Sequence, residues 1–493
     1  MNKNSIATVA LATAFSGASL AVQPAQFTAP TPNPESFADP TGIIQTYTTF
    51  QSVDTRGAFF QSLGTNGRTC ATCHVAEQAM GLSAAGARER FLSTRGQDPL
   101  FAPIDGANCP AGRQADPGAH SLLLQSGLIR IALTLPVTAQ FTISVVHDPY
   151  GCAIVPDPSG QPIVSVYRRP LPTTNLNFLS AVMFDGRETI APLTDNTTFD
   201  GNLNTDLTDQ AQSAITIHAQ ATQPPSASQL ADIVSFERSL YTAQRSDLLA
   251  GDLTDAGAQG GPVVLSVQTY YPGINDALGS NFNSSSMTLF NAWSNLTYNN
   301  DRTLLDVART ATRKAIAAGE VLFNTVPITI TNVRGLNDNA ALGKPTAFVG
   351  HCTTCHDAPN VGDHSLPLPL DIGTGHSKLA GMETDPQVAA GVAQLAMADL
   401  PVYLINGCPD PFNPGQAASF YTSDPGKALI TGQCSDLNRV KGPILRGLTA
   451  RAPYFHNGAA ASLTEVVSFY NERFQMGLTA QQKLELVAFL NSL

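Results

Sequence analysis

Two copies of a five-residue motif constrain this chain more than anything else in it: Cys70-Ala71-Thr72-Cys73-His74 and Cys352-Thr353-Thr354-Cys355-His356. C-x-x-C-H is the spacing at which two thiols bond covalently to a porphyrin and the next histidine lies under its iron. A structural zinc site needs two such pairs converging on one metal. Here each pair carries its own His, and the copies lie far apart. A thioredoxin-like pair sits near a βαβ pattern, and neither copy has one. Two covalently bound haem c groups are the expectation, with Cys70, Cys73 and His74 holding one and Cys352, Cys355 and His356 the other.

Residues 1–21 have the form of a secretory signal peptide. Lys3 gives the positive start, Ile6 to Leu20 is apolar and small, and Ser19-Leu20-Ala21 is a small-x-small cleavage site. The run is too short and too rich in Ala, Ser and Thr for a membrane span. A periplasmic protein without a membrane anchor is expected. Haem attachment uses four of the eight cysteines. In an oxidising compartment the remaining Cys109, Cys152, Cys408 and Cys434 point to disulfides. Of three possible connectivities, the local one pairs Cys109 with Cys152 and Cys408 with Cys434. A net charge of −11 excludes the basic stripe of a nucleic-acid binder. It suits a small cationic redox partner, a cytochrome c or a cupredoxin.

About 470 residues after the leader exceed one typical core, so two domains are expected. Thr55 to Phe60 precedes the first motif and Ala318 to Phe323 the second, each reading as a helix that leads into a loop. The fold class is mainly α: two cytochrome c-like haem domains in tandem, with long loops and a small β insertion in the N-terminal half. The insertion spans Leu128 to Val166, where β-branched runs are strand-like. The boundaries are 1–21 for the signal peptide, 22–45 for a Pro/Thr-rich linker or arm, and 46–250 for the first haem domain. A connecting region follows over 251–305 and the second haem domain over 306–493. Ser462 to Tyr470 is amphipathic, and Thr479 with Gln482 makes a capping box for a last helix.

Several segments carry a family resemblance. Val440-Lys441-Gly442-Pro443-Ile444-Leu445-Arg446-Gly447-Leu448, Ala452-Pro453-Tyr454-Phe455-His456-Asn457-Gly458 and Leu463-Thr464-Glu465-Val466-Val467 resemble the bacterial dihaem cytochrome c peroxidase and MauG superfamily. So do Arg168-Arg169-Pro170-Leu171-Pro172-Thr173-Thr174-Asn175 and Phe184-Asp185-Gly186-Arg187. The resemblance implies a peroxide-reactive haem on His74 and an electron-passing haem on His356. It implies Tyr470, or nearby Met476, as second ligand of the latter iron. It implies Arg446 near the second haem's propionates and a structural or haem-edge role for His456. The loop from Val75 to Leu92 has no His, so the first iron is expected open, with Met80 packing.

The family's distal Gln matches Gln210. Its acid/base Glu falls on Gln220, which cannot exchange a proton, whereas nearby His218 can. The inter-haem Trp position is Phe184, and the only Trp is Trp293. An inter-domain Ca2+ is implied on Asn175 and on the carbonyls of Arg451 and Pro453. Three functions follow as alternatives. One is a peroxidase-like oxidoreductase reducing H2O2 at the first haem with electrons passed through the second. Another is an electron-transfer cytochrome without turnover. The third is an O2-dependent oxygenase on the same frame, as in rubber oxygenases. The oligomeric state is not legible.

Overall fold

The computed structural model describes residues 32–190, 199–268, 274–277, 281–356, 358, 369–377, 385–396, 399–413 and 419–493. The leader segment 1–21 lies outside them. Helices outweigh strands, and long loops join small sheets. Among the described residues no helix is long and apolar enough to cross a membrane.

The helix Leu304–Thr325 leads towards the second motif. It starts at a capping box: the Thr303 hydroxyl accepts from Asp306 N at 3.1 Å and the Asp306 carboxylate from Thr303 N at 3.1 Å. Ile316, Ala317 and Phe323 face one way and bury against Leu486, Phe489 and Leu490 of the final helix Ala480–Asn491. The helices cross where Gly319 sits. A Cβ there would lie 2.0 Å from the Glu485 carbonyl, so a side chain would force them apart. Glu320, one residue on, accepts from Leu289 N at 2.5 Å and Phe290 N at 3.0 Å. This ties the connecting region to the helix. Trp293 of that region is fully buried in the same core, its indole N–H donating to Asp255 O at 2.9 Å.

The first motif has no such lead-in. The helix expected over Thr55 to Phe60 is a single 3-10 turn, Ala58–Phe60, preceded by Gly57 and followed by the Gly- and polar-rich run from Gln61 to Gly67. Too few residues separate these breakers for a helix to propagate. The helix Ala227–Ser239 takes its place, setting Phe236 against Phe59 and Phe60 at ring distances of 4.8 and 5.2 Å.

The end of the segment read as an arm is paired strand. Glu35–Asp39 and Gly42–Thr48 form a hairpin, and Gly42–Thr48 runs antiparallel to Leu240–Asp247. Alternate residues Ile44, Thr46 and Thr48 are buried, the period of a half-covered sheet. Strands are present within Leu128 to Val166 as expected. Ile129–Thr134, Ile154–Pro156 and Pro162–Arg168 form one sheet. Thr142–His147 instead pairs with Val402–Asn406 from the C-terminal half, so the insertion stitches the halves together. Both local disulfides are formed, Cys109–Cys152 and Cys408–Cys434, with Cα separations of 6.0 and 5.3 Å.

Candidate functional site

Both motifs use one local device. The Thr before the second Cys folds back on the residue before the first. Thr69 N donates to the Thr72 hydroxyl at 3.0 Å, and His351 N to the Thr354 hydroxyl at 2.9 Å. The tight turn then closes with His74 N on Cys70 O at 3.0 Å and His356 N on Cys352 O at 2.9 Å. Each motif's two thiols and imidazole thereby line one cavity. Counted with the open solvent at their mouths, the cavities span about 1460 Å³ for the first and 1780 Å³ for the second. They are walled mostly by apolar side chains, as cofactor sites are.

These residues fit haem c. The four motif cysteines remain thiols in a chain whose other four are bonded to each other. Burial pulls His74 down to about 4, so its imidazole is neutral. Its Nδ1 lies 3.3 Å from the Met80 carbonyl. A proton on that nitrogen leaves the Nε2 lone pair available, the arrangement of a metal-ligating His. Met80 itself is buried in the core around Phe59 and Phe236, as packing.

The first cavity carries the carboxyl groups. His218 stands just past the helix Phe199–Ile217, and its Nδ1 makes a short hydrogen bond to Asp105. Asp105 is also paired with Arg68, whose guanidinium donates to Pro99 O and Leu100 O at 2.8 Å each. Burial alone would raise the Asp105 pKa. The hydrogen bond and charge of His218, with the Arg68 charge, outweigh it and hold the carboxyl below its ordinary value. His218, Asp105, Arg68 and Gln210 all line this cavity. Gln220 does not. The chain reverses at Ala219, whose carbonyl accepts from Thr65 N at 3.0 Å. Gln220 is left exposed at φ +56°, its Oε1 3.3 Å from Asn66 Nδ2.

Sequence reasoning missed Arg68, Asp105 and Glu237. Glu237 also lines the cavity, with Oε1 accepting from the Thr173 hydroxyl at 2.7 Å and Oε2 buried without a partner. Burial pushes it up to about 7. Its signal was readable: an acid on the buried stripe of Ile233, Val234 and Phe236. Asp105 had none, being distant in sequence from both Arg68 and His218.

The second cavity brings Tyr470 and Met476 together with His356. Burial raises the Tyr470 phenol well above its ordinary value, with the nearby thiols adding to it. Arg446 is buried but does not line the cavity. Burial lowers it to about 10, against the attraction of Glu320. His456 lines the cavity and lies 3.5 Å from Asp424. A common wall of Arg169, Pro170, Leu171, Phe184 and Lys441 faces both cavities. Phe184 therefore sits between them, with its ring centroid 5.9 Å from that of His456.

The expected calcium ligands do not fit a cation. The Asn175 amide is engaged on both sides by Thr242, donating to its O and accepting from its N at 2.9 Å each. The Arg451 carbonyl accepts from the Arg169 guanidinium at 2.6 Å. Pro453 lines the second cavity. Two buried guanidinium charges at this point repel a metal ion. Among the described residues no group of three or more His, Cys, Asp or Glu gathers for a metal.

No protein-family profile matches the chain. Part of it resembles the cytochrome-c peroxidase IdrP2 of Denitromonas iodatirespirans, 31% identical over 151 residues, which are 29% of this chain and 36% of that protein. IdrP1 of Pseudomonas sp. (strain SCT) is 28% identical over 156 residues, again 29% and 36%. IdrP1 of Denitromonas iodatirespirans is 36% identical over 81 residues, 14% and 22%. The chain thus spans about a third of the first two relatives it matches. A MauG-like protein associated with microbial copper homeostasis aligns over 69% of this chain and 79% of its own, at 14% identity and a TM-score of 0.25, too loose to assign the fold. Part of the chain is distantly homologous to bacterial cytochrome-c peroxidases, a family of redox enzymes.

Proposed function

We propose that this chain is a periplasmic dihaem c-type oxidoreductase of the peroxidase kind, with the first cavity as the reactive site and the second as the electron relay. Residues 46–250 and 306–493 are the two haem-bearing domains. Cys70, Cys73 and His74 hold one haem, and Cys352, Cys355 and His356 the other. The bound haems supply electron storage and the Lewis-acid iron at which a peroxide oxygen is reduced. Tyr470, or Met476 in its place, would supply the second protein ligand at the second site, and an anionic phenolate there would favour the oxidised metal. H2O2 is the proposed substrate and a small cytochrome c or cupredoxin the electron donor.

The observation that carries the reading is the Arg68–Asp105–His218 chain. Peroxide reduction moves a proton from one oxygen to the other. His218, with Nδ1 held by the Asp105 carboxylate, presents Nε2 as the group that takes and returns that proton. The His218 hydrogen bond and the Arg68 charge keep Asp105 ionised, and Gln210 adds a hydrogen-bonding amide on the same wall. This pair does the work that Gln220 cannot.

The same geometry supports a second reading. An imidazole oriented by a carboxylate is also how a metal-ligating His is held. If His218 ligates the first iron, that site is closed and the protein only transfers electrons. Stopped-flow mixing of the reduced, haem-loaded protein with H2O2 separates the two. The enzyme reading expects peroxide consumption with oxidation of added cytochrome c, slowed about 10²–10⁴-fold in His218→Ala. No consumption by the wild type contradicts it. Consumption of O2 with an organic substrate, and no external reductant, would instead identify an oxygenase.

A further inference from the structure

Two buried arginines that line the motif cavities are held by backbone carbonyls. Arg169 and Arg451 are 6% and 9% exposed. Arg169 donates to the carbonyls of Ser126 at 3.2 Å, Arg451 at 2.6 Å and Leu82. Arg451 donates to the carbonyls of Ile444 and, at 3.3 Å, Arg446. Its Nε is buried with no partner. Among the described residues neither reaches a carboxylate. The equally buried Arg68 and Arg168 do: Arg68 has Asp105, and Arg168 has Asp185 and Asp424. Carbonyl dipoles satisfy hydrogen bonds but do not neutralise a desolvated charge. Burial pulls Arg169 down to about 9, helped by the neighbouring Arg451 charge, and Arg451 to about 10.

Their positions say where the missing anion comes from. Arg169 lies in the wall common to both cavities, and Arg451 lines only the second. Carbonyls occupy only part of the Arg169 fork, and a guanidinium has five N–H donors in all. We infer that Arg169 and Arg451 are the counter-cations for the carboxylates of the two bound tetrapyrroles, Arg169 serving both cavities and Arg451 the second alone. The inference rests on the haem reading above, since each haem c brings two propionates. A planar, permanently charged fork is the side chain that takes a carboxylate in a desolvated site. This assigns to Arg169 and Arg451 the propionate role that the family resemblance gave to Arg446.

The test is the midpoint potential of each haem in the full chain. Two haems per chain are first confirmed by the pyridine haemochrome assay. Reduction adds an electron at the iron, and a nearby cation stabilises that state. Arg169→Gln should therefore lower both potentials, and Arg451→Gln only the second. Arg169→Lys, which keeps the charge, should restore most of the loss. Arg451→Gln and Arg169→Lys keep the pattern testable if Arg169→Gln does not fold. Two haems with potentials unmoved by Arg169→Gln, or moved at one haem only, overturn the inference alone. So does a shift of both by Arg451→Gln. A wild-type chain without covalent haem overturns the haem reading and this inference with it.

Discussion

Around the first motif the cavity wall carries Arg68, Asp105, His218, Gln210 and Glu237, two of them carboxyl-bearing. Around the second, among the described residues, no carboxylate lines the wall; Tyr470, Met476, Phe455 and Phe474 stand there instead. Yet the motifs fold alike, each closed by the same Thr-to-backbone hydrogen bond. On the proposed reading, the motif would fix how a haem is attached and the surrounding elements what it does. Among the described residues, carboxyl groups line only the first cavity, with His218 beside them, where a reaction that moves protons would occur. The second is lined by Tyr470, Phe455 and Phe474 and, among the described residues, by no carboxylate, which suits electron transfer through the shared wall at Phe184.

The comparison breaks most visibly at His218. Replacing it with Ala should lower peroxide turnover about 10²–10⁴-fold, the usual contribution of a general acid–base group. Asp105→Asn, acting through His218, should cost about 10–100-fold. Steady-state kinetics with reduced cytochrome c measures both, and the second haem's spectrum should not change in either. Full activity in His218→Ala would remove the asymmetry in proton chemistry.

Glu237 tests the same asymmetry through stability. Its folded value of about 7 lies above the ordinary 4.5, so the fold favours the protonated form. That contribution is whole below pH 4.5 and is lost as pH rises to 7. It amounts to about 3 kcal/mol at 1.36 kcal/mol per unit. Glu237→Gln should flatten urea-unfolding stability across this window. An unchanged slope would show that the carboxyl is solvated or paired.

Tyr470→Phe sharpens the other side. The absorption spectrum of the second haem should change and that of the first should not. Met476→Leu should leave both unchanged, and the reverse outcome would make Met476 the ligand. The smallest effects are expected where the structure removes a candidate. Gln220→Ala should leave turnover unaltered, and dialysis against a calcium chelator should leave activity and melting temperature unaltered. A loss in either would restore a role that the exposed Gln220 and the guanidinium-occupied Arg451 carbonyl argue against.

Much of this was legible in the sequence because it is local. The motifs, the strands within Leu128 to Val166, the capping boxes at Thr303 and Thr479 and the nearest-neighbour disulfides are all set within a few tens of residues. What stayed hidden depends on distant chain. Thr55 to Phe60 reads as a helix until the packing of Ala227–Ser239 removes the need for one. The strand Gly42–Thr48 exists because Leu240–Asp247 returns to pair with it. Asp105 carries no motif. It becomes part of a site only because Arg68 and the end of the helix Phe199–Ile217 converge on it. The surroundings of the implied calcium ligands were hidden in the same way: Arg169 and Arg451 were visible as charges, but not that one would donate to the other's carbonyl.

Low-temperature EPR of the oxidised, haem-loaded protein addresses the inequality of the two sites most directly. One high-spin signal is expected from an open iron on His74 and one low-spin signal from a closed iron on His356. Two low-spin signals would contradict it, placing a ligand on the first iron and leaving an electron-transfer protein.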